Sequence, residues 1–254
     1  VLQPPRSTLF PYTTLFRSAL PPDRIWNGLP TCCGQMTLLP LAALFPGDPA
    51  GAYHAAYALG LFDNGWGKDL NAAIVAGLAQ ALAVPHNLPA ADAWESIFKA
   101  MRRTDPYRYG KIPWVTRSVD RWLDLALGAA REANGRPARL FARLEEEFRD
   151  TIKWEAQVPF VITFAVLALS GYDPLAALQL SLEWGHDTDS YAQLVGAFIG
   201  ARHGAVLFPA SLSGPVLERL RADYGVDPDD WVKLIAELRL QSSTRPLFSQ
   251  TPDS

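Results

Sequence analysis

The residues best suited to chemistry lie in a short segment between positions 183 and 204. There the sequence Gly-His-Asp-Thr-Asp-Ser places Asp187, Asp189 and Ser190 close together, directly before an uninterrupted helical pattern. Two carboxylates and a hydroxyl in one turn suit a hard cation such as Mg²⁺, Mn²⁺ or Ca²⁺, because these ions prefer oxygen ligands. The alternative interpretation is structural, since Asp and Ser are also preferred residues at the start of any helix.

The same segment carries glycines at intervals of four, at Gly196, Gly200 and Gly204. This spacing puts them on one face of a helix, where each glycine costs about 0.5–1 kcal/mol relative to alanine. We therefore expect this face to pack closely against another helix, and the apolar segment 156–170 is the expected partner. Gly185, ahead of both acids, can adopt backbone angles that other residues avoid.

Helical signals dominate the rest of the chain and predict the elements that must position this segment. An acid directly before a proline, at Asp48-Pro49 and Asp173-Pro174, is typical of a helix start. No alternating strand pattern of useful length occurs, so the sequence predicts a single all-α domain, an irregular or orthogonal multi-helix bundle. Helices are predicted over 68–84, 114–134, 137–150, 156–170, 174–184, 190–203, 214–224 and 229–240.

Composition and charge exclude several classes of protein. The 254 residues carry a formal net charge of −3, which argues against a dedicated nucleic-acid binder. The longest apolar stretch, 158–169, falls short of the roughly 20 residues that a membrane span needs, so we expect no membrane partner. Two adjacent cysteines, Cys32 and Cys33, cannot form a disulfide framework and predict a reducing, cytoplasmic compartment.

Gly185 to Ser190 and the glycine-spaced helix that follows resemble the G-x-D-x-D-[TS] motif and next helix of the ADP-ribosylglycohydrolases, which include dinitrogenase reductase-activating glycohydrolase. The resemblance extends to three further stretches, GQMTLLPLAALFPGDPAGAYHAAYAL, LFDNGWGKDLNAAIVAGLAQAL and GAVLFPASL. It implies an all-α fold with a binuclear Mg²⁺ site, in which Mn²⁺ could substitute. The implied activity is hydrolysis of the N- or O-glycosidic bond between ADP-ribose and an acceptor, either a modified protein or a small ADP-ribose derivative.

The resemblance also implies roles for individual residues. Asp187, Asp189 and Ser190 match the family's C-terminal metal ligands, and Asp187 is the implied catalytic residue. The first implied substrate loop, Cys33–Met36, approaches the diphosphate of the substrate, although Thr37, directly after it, stands where many members carry arginine. In the second loop, Trp66 either stacks on adenine or covers the core, and His186 contacts either the ribose or a supporting carboxylate. The implied substrate-binding residues are Cys33, Gly34, Gln35, Asn64, Gly65, Trp66, Gly67 and His186.

One departure from the family pattern concerns the N-terminal side. The family completes its metal site with a Thr-Asp-Asp-Thr motif that does not occur in this sequence, so we expect an incomplete metal site and weak activity. Residues 1–18 lack alanine and acidic residues and contain the near-repeat STLF/TTLF. They are interpreted as translated adapter sequence of the kind found in metagenome-derived gene models, or as a disordered arm. The predicted domain is then 19–240, a helical domain lacking its N-terminal part, followed by a flexible tail over 241–254.

Two questions stay open at this point. The first is whether the chain is instead a non-catalytic helical protein, either ADP-ribose-binding or structural like the lens crystallin relatives of the family. The second concerns residues 99–149, which hold twelve of the 23 basic residues of the chain. Arg136, Arg139 and Arg143 share one helical face there, which is typical either of phosphate binding or of a solvated surface.

Overall fold

The computed structural model describes residues 30–60, 63–111 and 116–244, except for the side chains of 242–244. Within these residues the backbone is helical or irregular, and an isolated antiparallel bridge between Thr31 and Glu155 is the one β-type pairing. The predicted all-α fold is therefore confirmed. None of the helices in this described part is both long and apolar enough to cross a membrane.

The described residues form eleven α-helices, which we number in chain order. They are α1 (Cys33–Thr37), α2 (Pro49–Leu59), α3 (Gly65–Ala81), α4 (Ala90–Arg103), α5 (Ser118–Ala133), α6 (Pro137–Glu147), α7 (Gln157–Leu169), α8 (Pro174–Glu183), α9 (Thr188–His203), α10 (Ala210–Tyr224) and α11 (Pro228–Thr244). Short 3₁₀ helices cover Leu39–Leu44, Tyr109–Lys111 and Ala205–Leu207.

The helix-start signals in the sequence act as predicted. Asp48 accepts a hydrogen bond from the Gly51 amide at 3.0 Å at the start of α2, and Asp173 accepts one from Ala176 at 2.8 Å at the start of α8. These carboxylates satisfy amides that have no partner within the helix. Asn134 ends α5 in the left-handed conformation, with φ of 48°.

The core is built around α3 and α7, whose side chains are buried on almost every side. The ring centroids of Phe160 and Phe164, both on α7, lie 4.8 Å apart, and that of Phe164 lies 5.2 Å from the ring centroid of Phe198 on α9. Burial on all sides explains why the sequence of α7 is continuously apolar rather than periodic. The short apolar stretch is thus a core helix.

The structure corrects several predicted boundaries. Helix α4 was not predicted, although Trp94, Ile97, Phe98 and Met101 recur at helical spacing and are all buried. Helix α5 begins at Ser118 rather than 114, and α9 begins at Thr188. Helix α11 continues to Thr244, into the segment predicted as a flexible tail, while 245–254 and the adapter-like residues 1–18 lie outside the described residues.

The prediction that the glycine face of α9 packs against segment 156–170 is wrong. A Cβ atom added to Gly196 or Gly200 would meet no atom of the described residues within 4 Å. Helix α9 instead contacts α7 through its opposite face, where Leu194 and Phe198 are fully buried. Gly204 has a separate local role, because it ends the helix with φ of 78°.

Candidate functional site

The Asp-x-Asp-Ser motif lies where the chain turns from α8 into α9. Gly185 and His186 have φ values of 78° and 56°, so two consecutive residues adopt the left-handed conformation. Such a conformation costs on the order of 1–3 kcal/mol at a residue other than glycine, and it occurs where the surrounding structure requires it. The turn brings Asp187 to the position directly before the first residue of α9.

Two of the three predicted ligands, Asp187 and Ser190, are in contact at this helix start, and Asp189 stands between them in the chain. The Ser190 hydroxyl donates a hydrogen bond to Oδ2 of Asp187 at 2.7 Å, and the Ser190 amide bonds the Asp187 carbonyl at 3.1 Å. Burial raises the pKa of Asp187, and the neighbouring carboxyl of Asp189 raises it further, while the Ser190 hydrogen bond lowers it. Asp189 is exposed and Asp187 is half-buried, so both carboxyls can be reached from solvent.

The donor chemistry of this cluster fits a hard cation in part. Two adjacent carboxylates repel each other, and a divalent cation between them would relieve that repulsion. In the part of the chain that the structure describes, no group of three or more His, Cys, Asp or Glu side chains is placed to hold a metal ion. Asp187, Asp189 and Ser190 therefore supply a fraction of the roughly six oxygen ligands that Mg²⁺ takes.

Cys32 adjoins this cluster, although the sequence analysis gave it no role there. Its Sγ lies 3.8 Å from the Ser190 Oγ, and the side chain is 6% exposed. Burial raises the pKa of the Cys32 thiol to about 12, with the charge of Asp187 acting in the same direction. The thiol is consequently neutral at physiological pH and packs against the serine rather than offering a thiolate ligand.

Gly34 contacts a second buried acid. Its amide donates a hydrogen bond to Oδ1 of Asp63 at 3.1 Å. A Cβ atom at position 34 would lie 2.1 Å from Oδ2 of the same carboxyl, so only glycine fits there. Asp63 is 5% exposed, and its Oδ2 receives no well-directed hydrogen bond from the described residues. Burial raises the pKa of Asp63, against the lowering effect of the nearby Asn71 amide and of the Gly34 hydrogen bond.

Gln35 and Asn71 extend this cluster between α1 and α3. The Gln35 amide nitrogen donates to Oδ1 of Asn71 at 2.8 Å and to the Ala156 carbonyl at 2.7 Å. The Asn71 amide donates to the Thr31 carbonyl at 3.2 Å. The Gln35 Oε1 is buried without a partner among the described residues, as is the Asp63 Oδ2. Because buried polar atoms are almost always satisfied, two unused acceptors in one cluster indicate a place where a ligand, ion or water binds.

The predicted first substrate loop is a one-turn helix rather than a loop. Cys33, Gly34 and Gln35 belong to α1, and the close approach of Asp63 requires the glycine. The Thr37 hydroxyl, at the end of this turn, donates to the Cys33 carbonyl at 2.9 Å. Helix α1 also carries Met36, whose carbonyl accepts a hydrogen bond from Gln193 of α9 at 2.9 Å. Helix α1 therefore contacts both α9 and the Asp63 cluster.

The predicted second substrate loop forms the beginning of α3. Asn64 precedes the helix, and Gly65, with φ of 51°, is its first residue. Trp66 is half-buried and lies 6.5 Å from the Trp122 ring, a placement that favours the core-covering interpretation of this residue. Gly67 is buried, and a Cβ atom there would lie 2.8 Å from the Pro30 side chain, so glycine is required at this position.

His186 contacts a carboxylate, which was one of the two predicted contacts. Its Nε2 forms a close hydrogen bond with Oε1 of Glu145 on α6. The same glutamate lies 3.7 Å from the Lys153 ammonium. The ring centroid of His186 is 5.6 Å from that of Trp184. The histidine is thus held at the exposed rim of the Asp187 cluster.

Sequence reasoning did not assign Asp63, Asn71 or Cys32 to the site. A signal for Asp63 was available, since the acid stands in the apolar context Leu-Phe-Asp directly ahead of a helix with apolar residues all round. An acid at such a position must either pair or serve a function. Cys32 and Asn71 had no comparable signal, because their roles depend on contacts with residues distant in sequence.

Comparisons with known proteins agree with these observations. A family model described as ADP-ribosylglycohydrolase matches residues 8–246. The match begins within the segment 1–18 and is therefore wider than the predicted domain 19–240. Comparisons with curated proteins and with solved structures gave no significant match. The match spans nearly the whole chain, and the protein belongs to the ADP-ribosylglycohydrolase family, a membership that supports a glycohydrolase function.

Proposed function

We propose that this protein is a metal-dependent hydrolase that cleaves the N- or O-glycosidic bond between ADP-ribose and an acceptor. The observation that carries the proposal is the contact of Ser190 with Asp187, with Asp189 between them in the chain, at the start of α9. In a chain of the ADP-ribosylglycohydrolase family, a half-buried carboxyl beside an exposed one has the chemistry that glycosidic cleavage requires. The substrate would be an ADP-ribosylated protein or a small ADP-ribose derivative.

Each residue of the Asp187 cluster has a separate role in the proposed hydrolysis. Asp187, whose pKa is raised, accepts a proton from the attacking water, because a more basic carboxylate is the better general base. Ser190 orients the Asp187 carboxyl through its 2.7 Å hydrogen bond. Asp189 faces solvent and adds negative charge near the anomeric carbon, where positive charge develops. A Mg²⁺ or Mn²⁺ ion on these oxygens would supply Lewis-acid chemistry.

The proposed substrate-binding residues differ in how a substrate could reach them. Cys33 and Trp66 are half-buried, and Gly65 and His186 are exposed, so these four can contact a ligand directly. The remaining four are buried and act by positioning Asp63, Asn71 and the start of α3; they are Gly34, Gln35, Asn64 and Gly67. A ribose hydroxyl is a suitable donor for the unused oxygen of Asp63.

The test is release of ADP-ribose from a modified protein or peptide, measured by chromatography with Mg²⁺, with Mn²⁺ and with EDTA. Asp187→Asn and Asp189→Asn should each lower the rate by about 10²-fold or more, since each removes a positioned carboxylate. Asp92→Asn is the matched control, because Asp92 is an exposed acid in the first turn of α4. Release that is unaffected by EDTA and by Asp189→Asn would overturn the metal mechanism.

Direct metal binding keeps the proposal testable if hydrolysis is slow. With a partial ligand set, the chain should bind Mn²⁺ weakly, as followed by electron paramagnetic resonance, and Asp189→Asn should abolish that binding. The Asp92→Asn control should bind Mn²⁺ as the wild type does. Equal Mn²⁺ binding by wild type and Asp189→Asn would remove the motif from the metal site.

A second candidate is a non-catalytic ADP-ribose-binding or structural protein. It is favoured by the small number of ligands, since the described cluster offers two carboxylates and one hydroxyl. This candidate predicts that calorimetry detects ADP-ribose binding that EDTA does not change, with no product released from a modified peptide. Chelator-sensitive release of ADP-ribose would exclude it.

A further inference from the structure

A cleft of about 730 Å³ opens on another part of the molecule, between α4, α5 and the C-terminal end of α7. This volume lies within the range of roughly 300–1,000 Å³ that is usual for sites that bind small molecules. The floor of the cleft is apolar and its rim is charged. The apolar lining residues are Ala91, Phe98, Leu127, Ala130, Ala168 and Tyr172.

The rim of the cleft is strongly basic. Lys99, Arg102, Arg103 and Arg131 line it, against a single acid, Glu95. Arg102 is already paired, with Asp120 at 3.0 Å and Asp124 at 2.6 Å. The other three cations form no ion pair with the described residues. Their positive charges lie in one cleft and are not neutralised by ion pairs, which favours the binding of an anion there.

Glu95 does not neutralise this charge, although its spacing would allow it. Lys99 follows Glu95 by four residues on α4, the arrangement in which helical ion pairs usually form. No nitrogen–oxygen contact within 4.0 Å joins the two side chains in the structure. By contrast, Arg143 on α6 does pair with the acid four positions further on, Glu147, at 2.7 Å.

The floor of the cleft offers a flat aromatic surface held in a fixed position. The Tyr172 ring stacks on Trp94, with centroids 5.3 Å apart and planes 15° apart, and Phe98 lies 6.4 Å from Tyr172. Tyr172 has φ of 67°, and its amide donates to the Leu167 carbonyl at 2.9 Å. The hydrogen bond fixes the backbone at this left-handed position, and the stacking orients the ring before any ligand arrives.

The cleft is separate from the Asp187 cluster. Trp94, behind Tyr172, contacts Phe198 of α9 at 5.7 Å. Phe198 follows Asp187 by eleven positions, which corresponds to about 16 Å along a helix axis. One ligand in the cleft would therefore leave the start of α9 free.

We propose that this cleft is a second binding site, for a phosphorylated small molecule with a flat aromatic ring, of the size of a nucleoside mono- or diphosphate. The ring stacks on Tyr172, beside Phe98, whose ring plane is tilted by 53° from that of Tyr172. Lys99, Arg103 and Arg131 bind the phosphates. A guanidinium group can donate two parallel hydrogen bonds to one phosphate, and the lysine adds a positive charge. The volume of the cleft suits one compact ligand better than an extended acidic peptide.

Calorimetry on the full chain tests the class of ligand, with ADP, adenosine, inorganic phosphate and a polyglutamate peptide as probes. ADP should bind at least tenfold more tightly than adenosine or phosphate alone, because only ADP uses both the floor and the rim. Phosphate binding as tightly as ADP would reduce the site to a simple anion site and overturn the aromatic part. Tighter binding of polyglutamate than of ADP would overturn the proposal in favour of an acidic protein partner.

Charge-reversal variants and photo-crosslinking locate the site. Arg131→Glu and Lys99→Glu should each weaken ADP binding at least tenfold, while Arg139→Glu, an exposed arginine on α6 without an ion pair, should leave it unchanged. All three residues are exposed, so the variants should keep the helical circular dichroism of the wild type.

Azido-ADP should label peptides from α4, α5 or the segment that contains Tyr172. Asp189→Asn should bind ADP as the wild type does, which separates this site from the proposed metal ligands. Labelling confined to 33–36, 64–67 or 183–204, or ADP binding unchanged in both Arg131→Glu and Lys99→Glu, would overturn the proposal.

Discussion

Asp63 and Asp69 stand six positions apart and are both buried, yet their surroundings differ completely. Asp69 receives the Tyr53 hydroxyl at 2.6 Å and two nitrogens of Arg117, at 2.5 and 2.9 Å. Asp63 receives one well-directed hydrogen bond, from the Gly34 amide, and has no ion pair with the described residues. The first carboxylate is fully compensated and the second is not.

Arg117 shows what full compensation requires. It is 3% exposed, and besides Asp69 it donates to the carbonyls of Met101, Arg102 and Thr104. These bonds use all five donors of the guanidinium group. Tyr53, Asp69 and Arg117 thus fasten α2, α3, the end of α4 and the residue before α5 to one another.

The difference separates a structural acid from a candidate functional one. A buried charge whose hydrogen bonds are all made contributes to a defined fold and leaves nothing for a ligand. A buried carboxyl with an unused oxygen weakens the free protein, and such groups concentrate at functional sites. Asp63, joined to α1 by the Gly34 amide, is of the second kind.

The largest expected effect is at Arg117. Arg117→Met should lower the free energy of unfolding by about 3–5 kcal/mol, because it leaves the Asp69 charge buried without a partner. Urea denaturation followed by circular dichroism measures this loss. Arg117→Met with Asp69→Asn should be less destabilised than the sum of the two single variants. A loss below 1 kcal/mol for Arg117→Met would contradict the structural role of the network.

The next effect concerns the close approach of Gly34 to Asp63. Gly34→Ala places a methyl group 2.1 Å from the Asp63 Oδ2, so the carboxyl must move and its hydrogen bond to the amide must weaken. The expected cost is about 1–3 kcal/mol, as for other overpacked sites. Asp63→Ala in the same chain should remove most of that cost. Equal costs with and without the Asp63 carboxyl would show that the contact is not the cause.

The sequence predicted the fold class and the acid cluster because both depend on local patterns. Apolar runs and an acid before proline at helix starts are recognised within a few residues, and the Asp187–Ser190 contact spans one turn. Asp63 could not be paired with Gly34 in the same way, because the contact joins positions 29 apart in the chain. The packing of α9 was mispredicted since glycine spacing marks a face but does not show what covers it.

A smaller effect follows from the pKa of Asp63. Burial raises this pKa in the folded protein, so the folded state binds the proton more tightly than the unfolded chain does. The wild type therefore loses stability as pH rises from the ordinary carboxyl pKa through the raised folded value, and the loss is complete above it. Asp63→Asn avoids this loss, because the amide oxygen can still accept from Gly34.

The expected result for Asp63→Asn is a gain of about 1 kcal/mol at pH 7.5 that disappears toward pH 4, measured by urea denaturation at several pH values. Asp92→Asn, at an exposed acid, should show no such trend. If Asp63→Asn instead destabilised the protein at neutral pH, the carboxylate would be compensated in the folded state and the contrast with Asp69 would fail.

The smallest expected effect lies at Gly200, which provides the matched control for Gly34. Both are helical glycines, but a Cβ at Gly200 would meet no atom of the described residues within 4 Å. Gly200→Ala should therefore raise the free energy of unfolding by up to about 0.5–1 kcal/mol, because alanine loses less backbone entropy in a helix. Gly204→Ala should do the opposite, since φ of 78° strains any residue with a Cβ. Thermal unfolding of the three alanine variants should show a gain in stability for Gly200→Ala, a loss for Gly204→Ala and the largest loss for Gly34→Ala. A loss of 1 kcal/mol or more at Gly200 would mean that this face is covered, and the cost at Gly34 could then no longer be assigned to Asp63 by comparison.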